Sequence, residues 1–231
     1  MKPLYEPRGK AKEYGDYAVN IYTGCPHRCY YCFAPNVLHR DREEFHSRVE
    51  PRPGIVEALR KQIEREGVRD KLIHLCFTCD PYPTDYDSTT TREVIKVIKE
   101  SGNHVQILTK GDGRRDFDLL DGDDWYGVTL DGGATRWKPA ECNGIRHLQE
   151  AKARGIKTWV SFEPVLSASW VLICIRYGFP WFDKVKIGKL NYYHSDIDWK
   201  AFGLEAEALC QKVGLDYYIK ESLRAEMEDV G

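Results

Sequence analysis

The chain has no apolar run long enough to span a membrane, so no transmembrane helix and no membrane contact are expected. Residues Met1 to Lys12 are polar and lack the apolar centre of a secretory signal, which predicts a cytoplasmic protein. Neither charge sign is in excess: 34 Lys and Arg stand against 36 Asp and Glu, a net charge of −2. Proteins that grip a long duplex usually carry a basic excess. Extensive nucleic-acid binding is therefore not expected, while a local basic patch or a single-nucleotide substrate stays open. There is no internal repeat, low-complexity tract or Gly/Ser linker. What is present is ordinary for a globular protein: 231 residues, 42% hydrophobic and 30% charged. That predicts one domain over residues 1–231 with one sizeable core.

Cysteine is plentiful. Eight occur, at positions 25, 29, 32, 76, 79, 142, 174 and 210. A disulfide framework is not expected at this length without a secretory signal. Cys142, Cys174 and Cys210 fall singly on predicted helices and read as core residues. Cys25, Cys29 and Cys32 form a tight C-x3-C-x2-C group, and Cys76 and Cys79 form a second close pair. Such clustering in a reducing compartment favours metal binding or redox chemistry.

Short apolar runs alternate with helical periodicity along most of the chain. Strands are expected at 18–23, 72–77, 105–109, 125–130, 158–162 and 185–187, and an extended run at 216–219. Helices are expected at 54–65, 89–100, 141–154, 169–177 and 199–213, with Asp198 as N-cap of the last. A short helix is expected at 116–120. The charged stretch RDREEFHSR, residues 40–48, reads as a solvated connection. Strand–helix alternation of this kind builds a parallel sheet with helices outside it. In such folds ligands bind beyond the carboxyl ends of the strands. The unusual polar residues fall at those ends: Cys25, Cys79 and Asp80, Lys110, Asp131, Glu163 and Lys189. The order of residues thus proposes a single site assembled from several loops.

Three thiolates on one loop can cap three corners of a cubane iron–sulfur cluster and leave the fourth iron open. An open position suggests catalysis, as it does at zinc sites. The alternative is zinc held by the three cysteines with His27 or a distant histidine.

The triad follows the first predicted strand and has an aromatic residue, Tyr31, just before its last cysteine. This resembles the signature of radical SAM enzymes. The resemblance implies a partial (β/α)6 TIM-type barrel over about residues 18–190, with a short C-terminal helical extension over 191–231. It implies a [4Fe–4S] cluster on Cys25, Cys29 and Cys32, with S-adenosylmethionine (SAM) on the open iron. An external one-electron donor of the flavodoxin or ferredoxin type is implied as well. YTGCPHRCYYCFA, CFTCDPYP (76–83), QILTKG (106–111) and TWVSFEPV (158–165) are similar to the spore photoproduct lyase-like branch. That likeness suggests Tyr31, Thr78, Asp80, Lys110, Ser161 and Glu163 for the cofactor. Asp80 could instead cap the turn at Pro81, and Glu163 could simply meet a lysine.

In the lyases a cysteine ahead of a Thr-Ser-Asp segment returns a hydrogen atom to the product radical. Here FTCD occupies the similar segment, with Phe77 in the cysteine's place. Cys79 is the candidate donor. Cys76 and Cys79 are three apart, so on an extended strand they would face opposite sides. The expected substrate is a nucleobase or nucleotide, thymine-type, free or in DNA. The alternatives are the same radical chemistry on a peptide or small metabolite, and a non-enzymatic zinc or iron–sulfur binding module.

Overall fold

A computed structural model describes residues 2–133 and 143–228. The first two residues of the helix expected at 141–154, Cys142 among them, lie outside the described residues. The chain divides into two compact units, Met1–Trp125 and Tyr126–Gly231.

In the first unit, strands β1 (Leu4–Tyr5), β2 (Tyr17–Val19), β3 (Leu72–Leu75) and β4 (His104–Thr109) lie side by side. β1 is antiparallel to β2, while the pairs β2–β3 and β3–β4 are parallel. Between β2 and β3 run α1 (Ala34–Val37), α2 (Arg42–Ser47) and α3 (Ile55–Glu66), and α4 (Thr89–Glu100) links β3 to β4. α3 starts after left-handed Gly54 and stops at left-handed Gly67, the backbone state glycine adopts most readily. Its Ile55, Leu59 and Ile63 recur at helical spacing and are buried. Buried Gln62 ties down β1: its side chain accepts the Leu4 N–H at 3.0 Å and donates to the Leu4 carbonyl at 2.8 Å. The helix expected at 116–120 is a 3-10 turn over Arg114–Leu119.

β5 (Trp125–Thr129) opens on the last residue of the first unit and runs into the second. There follow α5 (Asn143–Ala153), β6 (Lys157–Phe162), α6 (Ala168–Gly178), β7 (Lys184–Ile187), α7 (Trp199–Val213), β8 (Asp216–Ile219) and α8 (Glu221–Met227). β6, β7 and β8 pair in parallel, with Phe162 opposite Ile187 and Ile187 opposite Ile219. Phe162, Ile187 and the α6 residues Val171 and Ile175 are fully buried, as expected of a sheet covered by helices. Trp159, on β6, is also buried and lies so close to Gly127 that a Cβ there would come within 2.2 Å of the indole.

Both units are α/β, with strands that are mostly parallel. The expected strands and helices form within a few residues of their anticipated ends, with two exceptions. The strand expected at 18–23 stops at Val19, because the chain then turns to make an isolated bridge between Tyr22 and Pro51. The stretch read as a solvated connection, 40–48, contains helix α2. Among the described residues no helix is long and apolar enough to cross a membrane.

Candidate functional site

The loop after β2 carries Cys25, Cys29 and Cys32 as free, partly buried thiols. Its shape is set by α2. Asp41 caps that helix, its side chain accepting the Glu44 N–H at 2.9 Å. The Arg42 guanidinium reaches back and donates to three carbonyls of the loop, those of Cys29, Tyr30 (2.8 Å) and Cys32 (3.2 Å). Cys25 N–H donates to the Phe45 carbonyl at 3.2 Å. His46 Nδ1 lies 2.7 Å from the Cys25 carbonyl; a carbonyl only accepts, so Nδ1 carries the proton. Gly24 permits this approach, since a Cβ there would stand 2.3 Å from the Phe45 carbonyl oxygen. Arg42 and His46 are site residues that sequence reasoning missed. The six-residue helix that holds them offers too short an apolar pattern to be seen.

The loops after β3 and β4 meet this one. His27 Nδ1 lies 3.5 Å from Cys25 Sγ and 3.4 Å from Asp80 Oδ2, and Nε2 lies 3.0 Å from Thr84 Oγ1. Both ring nitrogens thus have neighbours within the chain. The Asp80 carboxylate accepts from Tyr82 N–H (2.8 Å), Lys110 N–H (2.8 Å) and the Thr109 hydroxyl. It therefore caps its own turn and ties the β3 loop to the β4 loop. Gly111 makes room for that junction, because a Cβ would meet the Tyr82 carbonyl oxygen at 2.0 Å. Lys110 Nζ stands 5.5 Å from the centroid of the Tyr31 ring, which packs edge-on against Tyr30. Arg114 and Arg115 pair with Asp112 and Asp116.

The turn that carries Thr78 is pinned by Asn20, whose side-chain oxygen accepts the N–H groups of Phe77 and Thr78 at 2.8 and 3.0 Å. Thr78 Oγ1 is buried with no hydrogen-bond partner in the chain. Cys76 and Cys79 do not face opposite sides as expected. β3 ends at Leu75, Cys76 turns to a φ of 70°, and the two thiols lie close enough for each to influence the other's ionisation.

Burial pushes the Cys25 thiol well above its ordinary range, and the Asp80 carboxylate adds to the effect. Burial raises Cys32 as well. Burial lowers His27, with the Lys110 charge acting in the same direction and Asp80 opposing. Cys79 is lowered: burial opposes its thiolate, but hydrogen bonds from Cys76, Tyr22 and Ile21 and the Arg52 charge outweigh burial.

Ser161 and Glu163 belong to the second unit. Ser161 is buried near the end of β6, and its carbonyl accepts the Leu130 N–H at 2.9 Å. Glu163 Oε2 lies 3.0 Å from Lys220 Nζ, the lysine contact anticipated as one alternative. Asp131 Oδ1 accepts the Gly133 N–H at 2.9 Å, and Lys189 pairs with Glu226.

The sequence profile of the radical SAM superfamily matches residues 19–166. The chain belongs to the radical SAM superfamily. Uncharacterised proteins of Mycobacterium tuberculosis and Mycobacterium bovis are 33% identical to it over 110 residues, 45% of this chain and 32% of theirs. The match thus spans about a third of the curated relatives. A solved variant of spore photoproduct lyase superposes with a TM-score of 0.68 at 11% identity, over 93% of this chain and 78% of that one. Streptococcus suis SuiB bound to S-adenosylmethionine gives 0.65 at 12% identity, over 93% and 52%. At these identities the two structures establish a shared fold.

The cofactors of radical SAM enzymes are a [4Fe–4S] cluster and SAM, and the residues present fit both. The site offers three thiols, the usual donors for iron–sulfur clusters. Burial makes bare thiolates costly at Cys25 and Cys32, a cost that metal charge removes. Among the described residues, the one trio of metal-ligating atoms within 4.8 Å of one another is His104, Asp121 and Asp123. Thr78 Oγ1 supplies a buried polar atom awaiting a partner.

Proposed function

We propose that this protein is a radical SAM enzyme that abstracts a hydrogen atom from a nucleobase or nucleotide, thymine-type, free or in DNA. The observation that carries the radical chemistry is the thiol triad on a loop clamped by α2, in a chain of this superfamily. The bound cofactors supply a one-electron reductive cleavage of SAM that yields a 5′-deoxyadenosyl radical. The chain's own residues do the rest. Cys25, Cys29 and Cys32 hold the cluster, and Arg42 and His46 keep their loop in shape before it binds. Thr78 Oγ1 donates to or accepts from SAM. Lys110, steadied over the Tyr31 ring, pairs with the SAM carboxylate. Asp80 holds the Thr78 and Lys110 loops in register. Ser161, on β6, and Glu163, just after it, are the cofactor candidates of the second unit. Cys79 returns a hydrogen atom to the product radical. An external flavodoxin- or ferredoxin-type protein provides the electron.

The nucleobase reading draws on the likeness of the loops to the lyase branch, and on a lyase of this fold solved with SAM and a dinucleoside spore photoproduct. A peptide substrate is the second reading, because SuiB bound to its precursor peptide shares the fold at a TM-score of 0.63 over 87% of this chain.

The test uses protein purified without oxygen, with iron and sulfide restored, mixed with SAM and dithionite. Wild type should release 5′-deoxyadenosine and Cys29→Ala should not. Deuterated thymidine, DNA and peptides would then be compared as sources of label in the deoxyadenosine. One tightly bound zinc per chain and no deoxyadenosine would sink the enzymatic reading.

A further inference from the structure

Cys76 and Cys79 lie outside the cysteine loop, and the function above uses only one of them. They are separated by Phe77 and Thr78, a C-x-x-C spacing. Cys76 sits at a φ of 70°, uncommon for a residue with a Cβ. This bend is pinned by Asn20 on the next two N–H groups, and across it each thiol influences the other's ionisation. The thiols differ in setting. Cys79 Sγ accepts the Tyr22 N–H at 3.4 Å, lies near the Arg52 guanidinium, and is partly exposed. Cys76 is buried, at 6% exposed. One reachable sulfur with donors and positive charge around it, backed by a buried thiol, is the arrangement of an attacking and a resolving cysteine.

We propose that Cys76 and Cys79 are a redox-active dithiol that reacts with small-thiol disulfides of the glutathione type and closes to a Cys76–Cys79 disulfide. The Cys79 thiolate attacks one sulfur of the small disulfide, whose S–S bond breaks and releases one small thiolate. The Cys76 thiol gives its proton to that thiolate and attacks the Cys79 sulfur of the mixed disulfide. The second small thiolate leaves, and takes its proton from water. Two protein thiols are oxidised to one disulfide, and one small disulfide is reduced to two thiols. One consequence rests on the function proposed above: a disulfide-bound Cys79 has no hydrogen atom to return to a product radical. The dithiol itself does not depend on that function.

The full-length protein would be equilibrated without oxygen in mixtures of reduced and oxidised glutathione, blocked with iodoacetamide and digested with trypsin. The peptide Leu72–Arg92 contains both cysteines and no other. It should carry two carbamidomethyl groups in reducing mixtures. In oxidising ones it should carry none and have lost two hydrogens, with a single midpoint between. Cys76→Ser should leave Cys79 as a stable glutathione adduct, and Cys79→Ser should leave Cys76 as a free thiol. Both cysteines alkylated at every ratio, both glutathionylated separately, or Cys79 cross-linked to another peptide would each overturn the proposal. Cys29→Ala should lose deoxyadenosine formation and keep the disulfide midpoint, so the dithiol and the radical chemistry can fail independently.

Discussion

The Asp80 carboxylate accepts hydrogen bonds from Tyr82 and Lys110 N–H groups and the Thr109 hydroxyl. An amide in its place would turn its N–H₂ toward one of these donors. Asp80→Asn should therefore destabilise the first unit by about 1–3 kcal/mol, the usual cost of an unsatisfied buried group. A urea midpoint equal to wild type would refute this. Arg42 presents the complementary case. It spans three loop carbonyls with one planar fork, which the point charge of lysine does not reproduce. Arg42→Lys should bind less iron and sulfide per chain after reconstitution, and Arg42→Ala less again. Full loading of both variants would show that the loop keeps its shape without the clamp. Neither partner set was legible in sequence. Asp80 read equally well as a cofactor ligand or a turn cap, because the donors around it come from 2 to 30 positions away.

At the scale of elements, α4 forms over the expected residues, 89–100, and α7 likewise over 199–213. Apolar residues recur at helical spacing in both, Val94, Ile95 and Ile98 in α4 and Phe202, Ala206, Leu209 and Cys210 in α7, which is a local signal. α7 also carries a visible start: Asp198 accepts the Ala201 N–H at 2.9 Å. Asp198→Ala should cost about 1 kcal/mol, measured by urea unfolding, with the fold retained. In the same unit Gly127→Ala should cost roughly 1–3 kcal/mol, because the new Cβ meets the buried Trp159 ring. An unchanged midpoint for this variant would mean that the indole has room to move. α2 is the counterexample. It has six residues with one buried apolar side chain, Phe45, among charges. Its stability comes from its cap and from the loop it grips, which are tertiary facts.

On the scale of the whole molecule, acid should act through particular carboxylates. Burial alone would raise the Asp183 carboxyl, but hydrogen bonds from Lys152 and from the backbone and hydroxyl of Thr158 overcome burial and hold it below its ordinary value of 3.8. A group with a depressed folded pKa stabilises the fold fully above its unfolded value and loses that contribution as pH falls through the folded one. Stability should thus decline as pH drops below about 4, and Asp183→Asn should flatten that part of the profile. A wild-type acid limb unchanged by the substitution would remove Asp183 from the explanation.

The amino-acid sequence by itself determined the class of the protein. The spacing of Cys25, Cys29 and Cys32, the aromatic Tyr31 and the alternation of strands with helices are local patterns, written in consecutive residues. Local patterns report which elements form and which donor atoms share a loop. Only the tertiary structure decided what each donor atom meets. It bent the chain after Leu75 at Cys76, set His27 between Cys25 and Asp80, and folded α2 back onto the cysteine loop. Those contacts depend on hydrogen bonds and packing between segments distant in sequence, and no periodicity within a segment records them.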